Sequence, residues 1–362
     1  MASEIRIRRR KNGGPVTAFD VARLAGVTQA TVSRTINRSQ AVAPETRLKI
    51  EQAMASLNYR PSAAARILAR GKNGVIGLIT HSEYFTAHRM GLIVGGIAQV
   101  LDQENFLLSI AAMKSGITVG DLEKSPLIRQ HSCDGLLICF DQVDGDLIEF
   151  CRRLTVPYIL INPPFEQAYD CILPDDQATA ELAVNYLVAK GHRRIAYLSG
   201  SPNGHMPSII ARQRGYEMVM YRSGLQPWPG FDEQVNWQST YEERQKQVTD
   251  RLLAWCSGAH PATAILTYAV DGAVRVARAA YLQKWFIPER LSLMSCDDEI
   301  PLKQAMMPIH AIDLDRTRIS IEAVRMLLEK MADPGKKIPT RYIKGRLVER
   351  DRFSVAAISD AI

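Results

Sequence analysis

The chain of 362 residues has no apolar run long enough to span a membrane. Its basic N-terminus leads into no apolar segment of the kind that a secretory signal requires. The six cysteines form no C-x-x-C pair, which predicts buried thiols rather than disulfides or a zinc site. They are Cys133, Cys139, Cys151, Cys171, Cys256 and Cys296. We therefore expect a cytoplasmic protein with no membrane partner.

Short catalytic motifs are also missing from the sequence. It contains no G-x-G-x-x-G, no G-x-S-x-G, no Walker loop and no pair of histidines at metal-binding spacing. His192 is interpreted as a structural loop residue. The pair His81 and His88 is interpreted as part of a loop surface rather than as a metal site. An enzyme is not expected, and neither is a metal or another cofactor.

Positive charge is concentrated at one end of the chain. Residues 1–74 hold 14 Lys and Arg against four Asp and Glu, a balance of +10, whereas the other 288 residues hold 31 against 34, a balance of −3. A basic head on a slightly acidic body indicates a polyanionic partner bound by one end, although a solvated basic tail gives the same count. The length and 46% hydrophobic content predict several cores.

The head has the pattern of three short helices. Thr17 and Asp20 have the spacing of a capping box, and Gly26 ends the first helix. A second helix begins near Thr28, and Val32 and Ile36 face its interior side. That orientation turns Gln29, Ala30, Ser33 and Arg34 outward. A third helix begins at Pro44 and runs through Leu57. Three helices in this order predict a helix-turn-helix domain.

Four short sequence motifs in the head resemble those of one known family. They are Asp20-Val-Ala-Arg-Leu-Ala-Gly-Val27, Ala30-Thr-Val-Ser-Arg34, Glu45-Thr-Arg47 and Tyr59-Arg-Pro61, and they resemble the headpiece of the lactose-repressor (LacI/GalR-type) family of bacterial transcription regulators. The resemblance implies that the second helix enters the major groove, with Gln29, Ala30 and Arg34 as base readers and Ser33 and Asn37 as phosphate contacts. The alternative for Arg34 taken alone is a residue of a surface salt bridge. Further DNA contacts implied by the resemblance are Thr17, Thr31, Tyr59, Arg66 and Arg70.

The segment 62–70 is rich in alanine and too short to form a stable helix alone. It resembles the family's hinge helix, in which a leucine, here Leu68, enters the minor groove. Leu68 is alternatively an ordinary packing residue. The basic arm before the motif either adds phosphate contacts or has no specific role.

Beyond residue 74, short apolar runs alternate with helical patterns such as 178–190 and 271–284. Candidate strands are 75–80, 106–111, 135–140, 158–161, 195–198, 264–268 and 291–296. This alternation predicts parallel sheets in two Rossmann-like lobes. The expected fold is α/β with a small all-α head, and the second part resembles the periplasmic-binding-protein type I core of the same family. Crossings between the lobes are expected near Ala189, Ile312 and Lys344.

These patterns predict four parts of the chain: an arm, a helix-turn-helix domain, a hinge with its linker, and a core that binds an effector and dimerises. Their expected ranges are 1–15, 16–61, 62–74 and 75–362, with an N-lobe of about 75–189 and 313–343 and a C-lobe of about 190–312 and 344–362.

The resemblance places a small-molecule ligand in the cleft between the lobes. The positions carried over are Asp176, Ser208, Arg212, Trp237, Asp271 and Asp297, a set that suits a polyol. Trp237 is equally consistent with a packing residue of the core or of the surface. Asp298 is interpreted as a structural residue rather than a ligand contact. Ala269-Val270 stands where the family usually has Asn-Asp, and the loop 81–88 departs from the family pattern. The effector is therefore not expected to be a typical hexose.

The expected function is that of a homodimeric transcriptional repressor that binds a nearly palindromic operator in double-stranded DNA and responds to a small sugar-like effector. The alternative is a solute-binding receptor without specific DNA binding. Loss of duplex binding with increasing salt separates the two, because only the regulator needs phosphate contacts.

Overall fold

A computed structural model describes residues 16–37, 41–59, 73–82, 88–114, 118–130, 132–140, 146–165, 168–199, 206–228, 240–299, 301–302, 309–350 and 355–358. The chain forms two compact units, one ending at Gly74 and the other beginning at Val75. Among the described helices, none combines the length and the apolar character needed to cross a membrane. Trp237, Arg66, Leu68 and Arg70 lie outside the described residues.

The first unit contains three helices: α1 (Ala18–Ala25), α2 (Gln29–Asn37) and α3 (Pro44–Ser56). The predicted capping box is present, since the backbone N–H of Thr17 donates to Asp20 Oδ2 at 3.0 Å. Gly26 ends α1 with φ of 67°, a left-handed conformation that favours glycine. Val21, Val32 and Ile50 have no exposed surface and bring the three helices together.

The N-lobe of the second unit is a six-stranded sheet in the order β2-β1-β3-β4-β5-β10, and its neighbouring strands run parallel. Its strands are β1 (Val75–His81), β2 (Leu107–Met113), β3 (Gly135–Cys139), β4 (Tyr158–Ile161), β5 (Cys171–Pro174) and β10 (Arg341–Ile343). Described helices of this lobe are α4 (His88–Gln103), α5 (Val119–Glu123), α6 (Pro126–Arg129), α7 (Leu147–Arg153) and α12 (Arg316–Ala332). Helix α12 packs against α4 because both present apolar faces to one core.

The C-lobe is a five-stranded sheet in the order β6-β7-β8-β9-β11, parallel except where β11 pairs with β9. Its strands are β6 (Ile195–Leu198), β7 (Ala264–Thr267), β8 (Ser292–Ser295), β9 (His310–Asp313) and β11 (Arg346–Val348). Its described helices are α8 (Asp176–Ala189), α9 (Pro207–Arg222), α10 (Tyr241–Cys256) and α11 (Val270–Leu282). The predicted class of an α/β core with an all-α head is confirmed.

The expected first crossing near Ala189 is wrong. Helix α8 belongs to the C-lobe, because its buried residues Ala183 and Leu187 pack with Tyr197 of β6 and Val219 of α9. The chain therefore crosses between Pro174, which ends β5, and the start of α8.

The interpretation of His81 as loop surface is also wrong. It is the last residue of β1 and is only 3% exposed, because its ring packs edge-on against Phe140 with centroids 4.7 Å apart. All six cysteines are buried free thiols, as expected. His192 is a buried structural residue, with Nδ1 2.9 Å from Thr263 Oγ1 and Nε2 3.1 Å from the carbonyl of Ala356.

Candidate functional sites

The outer face of α2 is the first candidate site. Gln29, Ala30 and Arg34 are exposed there, whereas Ser33 is half-buried and Val32 faces the core. The outward set predicted from the helical period therefore lies on one solvent-facing side, where side chains can reach the edges of base pairs. Asn37 is the last residue of α2.

Two other residues predicted to contact DNA have roles inside the head. Thr31 lies in the first turn of α2 and is bonded to Thr28, which precedes the helix: their hydroxyls lie 2.8 Å apart, and the Thr31 N–H donates to Thr28 Oγ1 at 3.2 Å. The partly buried Tyr59 packs against the core of the head, and its N–H donates to the carbonyl of Met54 at 2.9 Å. A part of each side chain is thus engaged within the domain.

The second candidate site is a cavity of about 250 Å³ between the lobes of the core. The C-terminal ends of parallel strands converge on it: Phe140 follows β3, Asn162 follows β4, Tyr268 follows β7 and Asp297 lies beyond β8. Open parallel sheets bind their ligands at this edge because side chains from several loops meet there. Asn162 adopts φ of 50°, a left-handed conformation that asparagine tolerates.

One wall of the cavity consists of an ion pair within the C-lobe. Arg212 on α9 donates from Nε to Asp176 Oδ1 at 2.7 Å, and its Nη2 lies 2.6 Å from the same oxygen. Glycine at position 215 permits this approach of α9 to α8, because a Cβ there would overlap the carbonyl oxygen of Gln177. Burial raises the pKa of Asp176, and Arg212 opposes this effect without reversing it.

Tyr268 connects the same wall to Ser208. The guanidinium of Arg212 lies over the Tyr268 ring, 4.4 Å from its centroid, and Nη1 donates to the Tyr268 carbonyl at 2.5 Å. The hydroxyls of Ser208 and Tyr268 lie 2.8 Å apart. Asp176, Ser208 and Arg212 are thereby brought together, and Tyr268 is a member of the cavity wall that the sequence had not indicated.

A second buried ion pair joins the lobes across the cavity. Arg316 at the start of α12 donates from Nη1 and Nη2 to the two carboxylate oxygens of Asp297, at 2.7 and 2.6 Å. The turn after β8 is fixed by Ser295, whose hydroxyl donates to the Asp297 carbonyl at 2.8 Å. Burial alone would raise the pKa of Asp297, but the bidentate pairing with Arg316, together with the charges of Arg212 and Arg89, outweighs burial and holds the pKa below its usual value.

The remaining lining side chains are mainly apolar. Ile93, Phe140, Ile161 and Leu314 supply much of the surface between the polar walls. A cavity with a few fixed polar groups among apolar ones suits a small molecule that has both hydroxyls and a carbon face. Among the described residues, no cluster of His, Cys, Asp and Glu suits a metal ion.

Asp271 does not line this cavity. It lies in the first turn of α11, where its carboxylate accepts from Arg275 Nε at 2.7 Å, and its side chain is 48% exposed. Asp298 is structural as interpreted, since Arg350 Nη2 donates to it at 2.5 Å while Arg350 Nη1 donates to the carbonyl of Ile309.

Comparisons with known proteins match both units. A family model described as bacterial regulatory proteins, lacI family, matches residues 17–62, and one described as a periplasmic binding protein-like domain matches residues 184–351. The ribose operon repressor of Escherichia coli is 28% identical over 341 residues, which cover 92% of this chain and 98% of that protein. The lactose operon repressor of Escherichia coli is 33% identical over 217 residues, covering 59% of this chain and 58% of that protein.

A solved structure of the lac repressor dimer bound to operator and an anti-inducer matches nearly the whole chain. Its TM-score is 0.78 at 26% sequence identity, and the match covers 95% of this chain and 100% of that chain. The matched region therefore includes residues of both the head and the core.

Proposed function

The chain belongs to the lacI family of bacterial regulatory proteins, and we propose that it represses transcription by reading its operator with Gln29, Ala30 and Arg34. The observation that supports this reading face is the exposure of these three side chains on one side of α2, while Val32 anchors the opposite side in the core of the head. Arginine pairs with guanine, glutamine with adenine, and the alanine methyl with thymine. The chain is a regulator that binds DNA and not an enzyme.

We place its effector, a sugar-like metabolite, in the cavity between the lobes. Asp176, Ser208 and Arg212 hold polar groups on one wall and Asp297 on another, and apolar side chains cover the carbon skeleton. A ligand that bridges the two lobes changes their relative position. We infer that this movement alters the hinge segment 62–74, so that effector and operator each change the affinity for the other.

The regulator binds as a homodimer, because a twofold pair of heads matches the two halves of a nearly palindromic site. The lac repressor structure that it resembles is such a dimer on its operator. A bacterial protein that works on chromosomal DNA acts in the cytoplasm, and we infer that location for this chain.

The test is selection of bound duplexes from a random pool, repeated with sugars, sugar acids and nucleosides. An enriched palindrome supports the repressor, and a compound that changes its recovery identifies the effector class. If no palindrome is enriched under any condition, the head does not bind DNA specifically, and the alternative of a solute-binding receptor has to be reopened.

The Leu68→Ala variant tests the hinge in the same assay. A leucine wedged between base steps contributes only where the DNA is kinked at the correct site. We expect this substitution to weaken specific operator binding far more than binding to a random duplex. Equal losses in the two titrations would exclude the wedge.

A further inference from the structure

Two arginines of the N-lobe point at one carboxylate of the C-lobe. Arg89 lies near the start of α4 and Arg316 at the start of α12, and both line the cavity. Glu299 follows β8, and its Oε1 accepts from Arg89 at 3.2 Å from Nε and 2.9 Å from Nη2. Arg316 Nη2 lies 3.7 Å from the same oxygen. One carboxylate oxygen of the protein thus sits between two guanidinium groups.

The two arginines differ in exposure. Arg316 is held in place by its two-pronged pairing with Asp297, and its side chain is only 11% exposed. The side chain of Arg89 is 34% exposed, so solvent and ligands can reach it at the cavity edge. Arg316 would therefore keep its main partner if Glu299 moved away, and the position between the guanidiniums would remain available to another anion.

We propose that Arg89 and Arg316 form an anion subsite of the effector cavity, for which the Glu299 carboxylate and an acid group of the effector compete. The effector is then a small polyol that carries a carboxylate or a phosphate. This inference rests on the proposed function, because it takes the cavity between the lobes as the effector site.

The rest of the cavity agrees with an effector of this kind. Asp176, Ser208 and Tyr268 present polar atoms on the C-lobe wall that suit hydroxyl groups, while Ile93 and Phe140 present apolar surface that suits carbon. A neutral sugar gives no charge to replace Glu299 between the arginines. An acidic one restores the charge balance that the departure of Glu299 disturbs.

Competition with Glu299 also gives the subsite a mechanical effect. The Arg89–Glu299 pair joins residues 210 positions apart in the chain and links the two lobes directly. An acid group on the effector would replace this link by one that passes through the ligand. The relative position of the lobes would then depend on whether protein or effector supplies the anion.

The decisive experiment is calorimetric titration of the full chain with inorganic phosphate at constant ionic strength, so that screening does not change between samples. The variants are Glu299→Gln, which removes the competing charge, and Glu299→Gln combined with Arg89→Gln. The control is Glu123→Gln, which removes a carboxylate paired with Arg153 at 2.6 Å on the exposed surface. Arg316 is left intact because its loss would leave Asp297 buried without its partner.

We expect Glu299→Gln to bind phosphate about tenfold more tightly than the parent chain, and the double variant to lose that gain. The Glu123→Gln control should match the parent. If the parent and Glu299→Gln bind phosphate equally, or if the double variant binds as well as Glu299→Gln, the anion subsite is refuted.

Two matched pairs of sugars then distinguish the acid groups: glucuronate against glucose, and ribose phosphate against ribose. The pair whose acidic member gains more from Glu299→Gln shows whether a carboxylate or a phosphate is preferred. A neutral member that gains as much as its acidic partner would count against the subsite.

Operator binding by the same variants separates this inference from the proposed function. If the parent chain binds no operator, the proposed repressor function is refuted, but the phosphate titration still tests the anion subsite. An intact operator complex with no effect of Glu299→Gln on phosphate binding would refute the subsite alone.

Discussion

The head and the cavity are built in opposite ways. The predicted reading residues of the head come from one helix and stand exposed on its surface. The charged cavity residues come from helices and loops far apart in the chain, and Asp297 and Arg212 are less than 5% exposed. A surface that meets DNA can be laid out along one helix, whereas charges kept from water each need a partner. Substitutions of the exposed residues of α2 should therefore affect mainly DNA binding, and substitutions of the fully buried charged residues mainly folding.

The largest effect should come from breaking the pair between Asp297 and Arg316. Asp297→Ala leaves a buried guanidinium without its carboxylate, which costs roughly 3–5 kcal/mol of the free energy of unfolding. Urea unfolding of the core, followed by tryptophan fluorescence, measures the loss. The matched control is Glu123→Ala, which breaks an exposed pair and should cost less than about 1 kcal/mol. Equal effects of the two substitutions would contradict the difference between buried and exposed charges.

The buried His192 should make the stability of the core depend on pH. Burial lowers the pKa of His192 to about 4 from an ordinary 6.5, so between these values the unfolded chain binds a proton that the folded chain does not. Stability should therefore fall as the pH is lowered from 6.5 towards 4, by up to about 3 kcal/mol from this group. Below pH 4 its contribution should not change further.

Urea unfolding at a series of pH values measures this dependence. His192→Gln should flatten the curve between pH 4 and 6.5, even though it lowers stability overall by disturbing the bonds to Thr263 and Ala356. His260→Gln is the matched control, because His260 is an exposed histidine of the same lobe. An unchanged slope in His192→Gln would show that other groups cause the acid sensitivity.

The sequence predicted the head better than the cavity, and the reason is physical. In the head, one helical period decides which side chains face inward, so the buried position of Val32 and the exposed position of Arg34 both follow from local spacing. Capping at Thr17 and the turn at Gly26 are likewise local. The strand bounds of 158–161 and 195–198 agree with the structure for the same reason.

Long-range placement could not be predicted in this way. Helix α8 has an apolar face, but a face does not reveal which sheet it covers, and its assignment to the N-lobe was wrong. Strands β10 and β11 have three residues each, too few to show a period. Arg89 and Arg316 were missed because an arginine at a helix start has the same local sequence signal whether it meets solvent or a carboxylate from the other lobe.

Arg34→Ala should weaken operator binding without destabilising the head. Loss of a two-pronged contact with a base costs about 1–3 kcal/mol of operator affinity and relaxes specificity at that base. Fluorescence anisotropy with the selected palindrome and its single-base variants measures both. Arg23→Ala, also on the head but paired with Asp20 on α1, serves as control and should leave base preference unchanged. An unaltered preference in Arg34→Ala would make Arg34 a surface residue, the alternative that the sequence left open.

The smallest effect is expected at Thr17, because this side chain caps α1 and is also predicted to contact DNA. Its hydroxyl donates to Asp20 Oδ2 at 2.7 Å, so part of its role belongs to the fold of α1, while the family resemblance gives it a role on DNA. Thr17→Ala should destabilise the head by about 1 kcal/mol, seen as faster hydrogen exchange of the α1 amides in the full chain. Thr17→Ser keeps the hydroxyl and should restore slow exchange. At a temperature where the head of both variants is fully folded, any remaining loss of operator affinity in Thr17→Ala reports the DNA contact alone. If operator affinity is then unchanged, Thr17 acts only as the cap of α1, and the predicted base-reading residues all lie on α2.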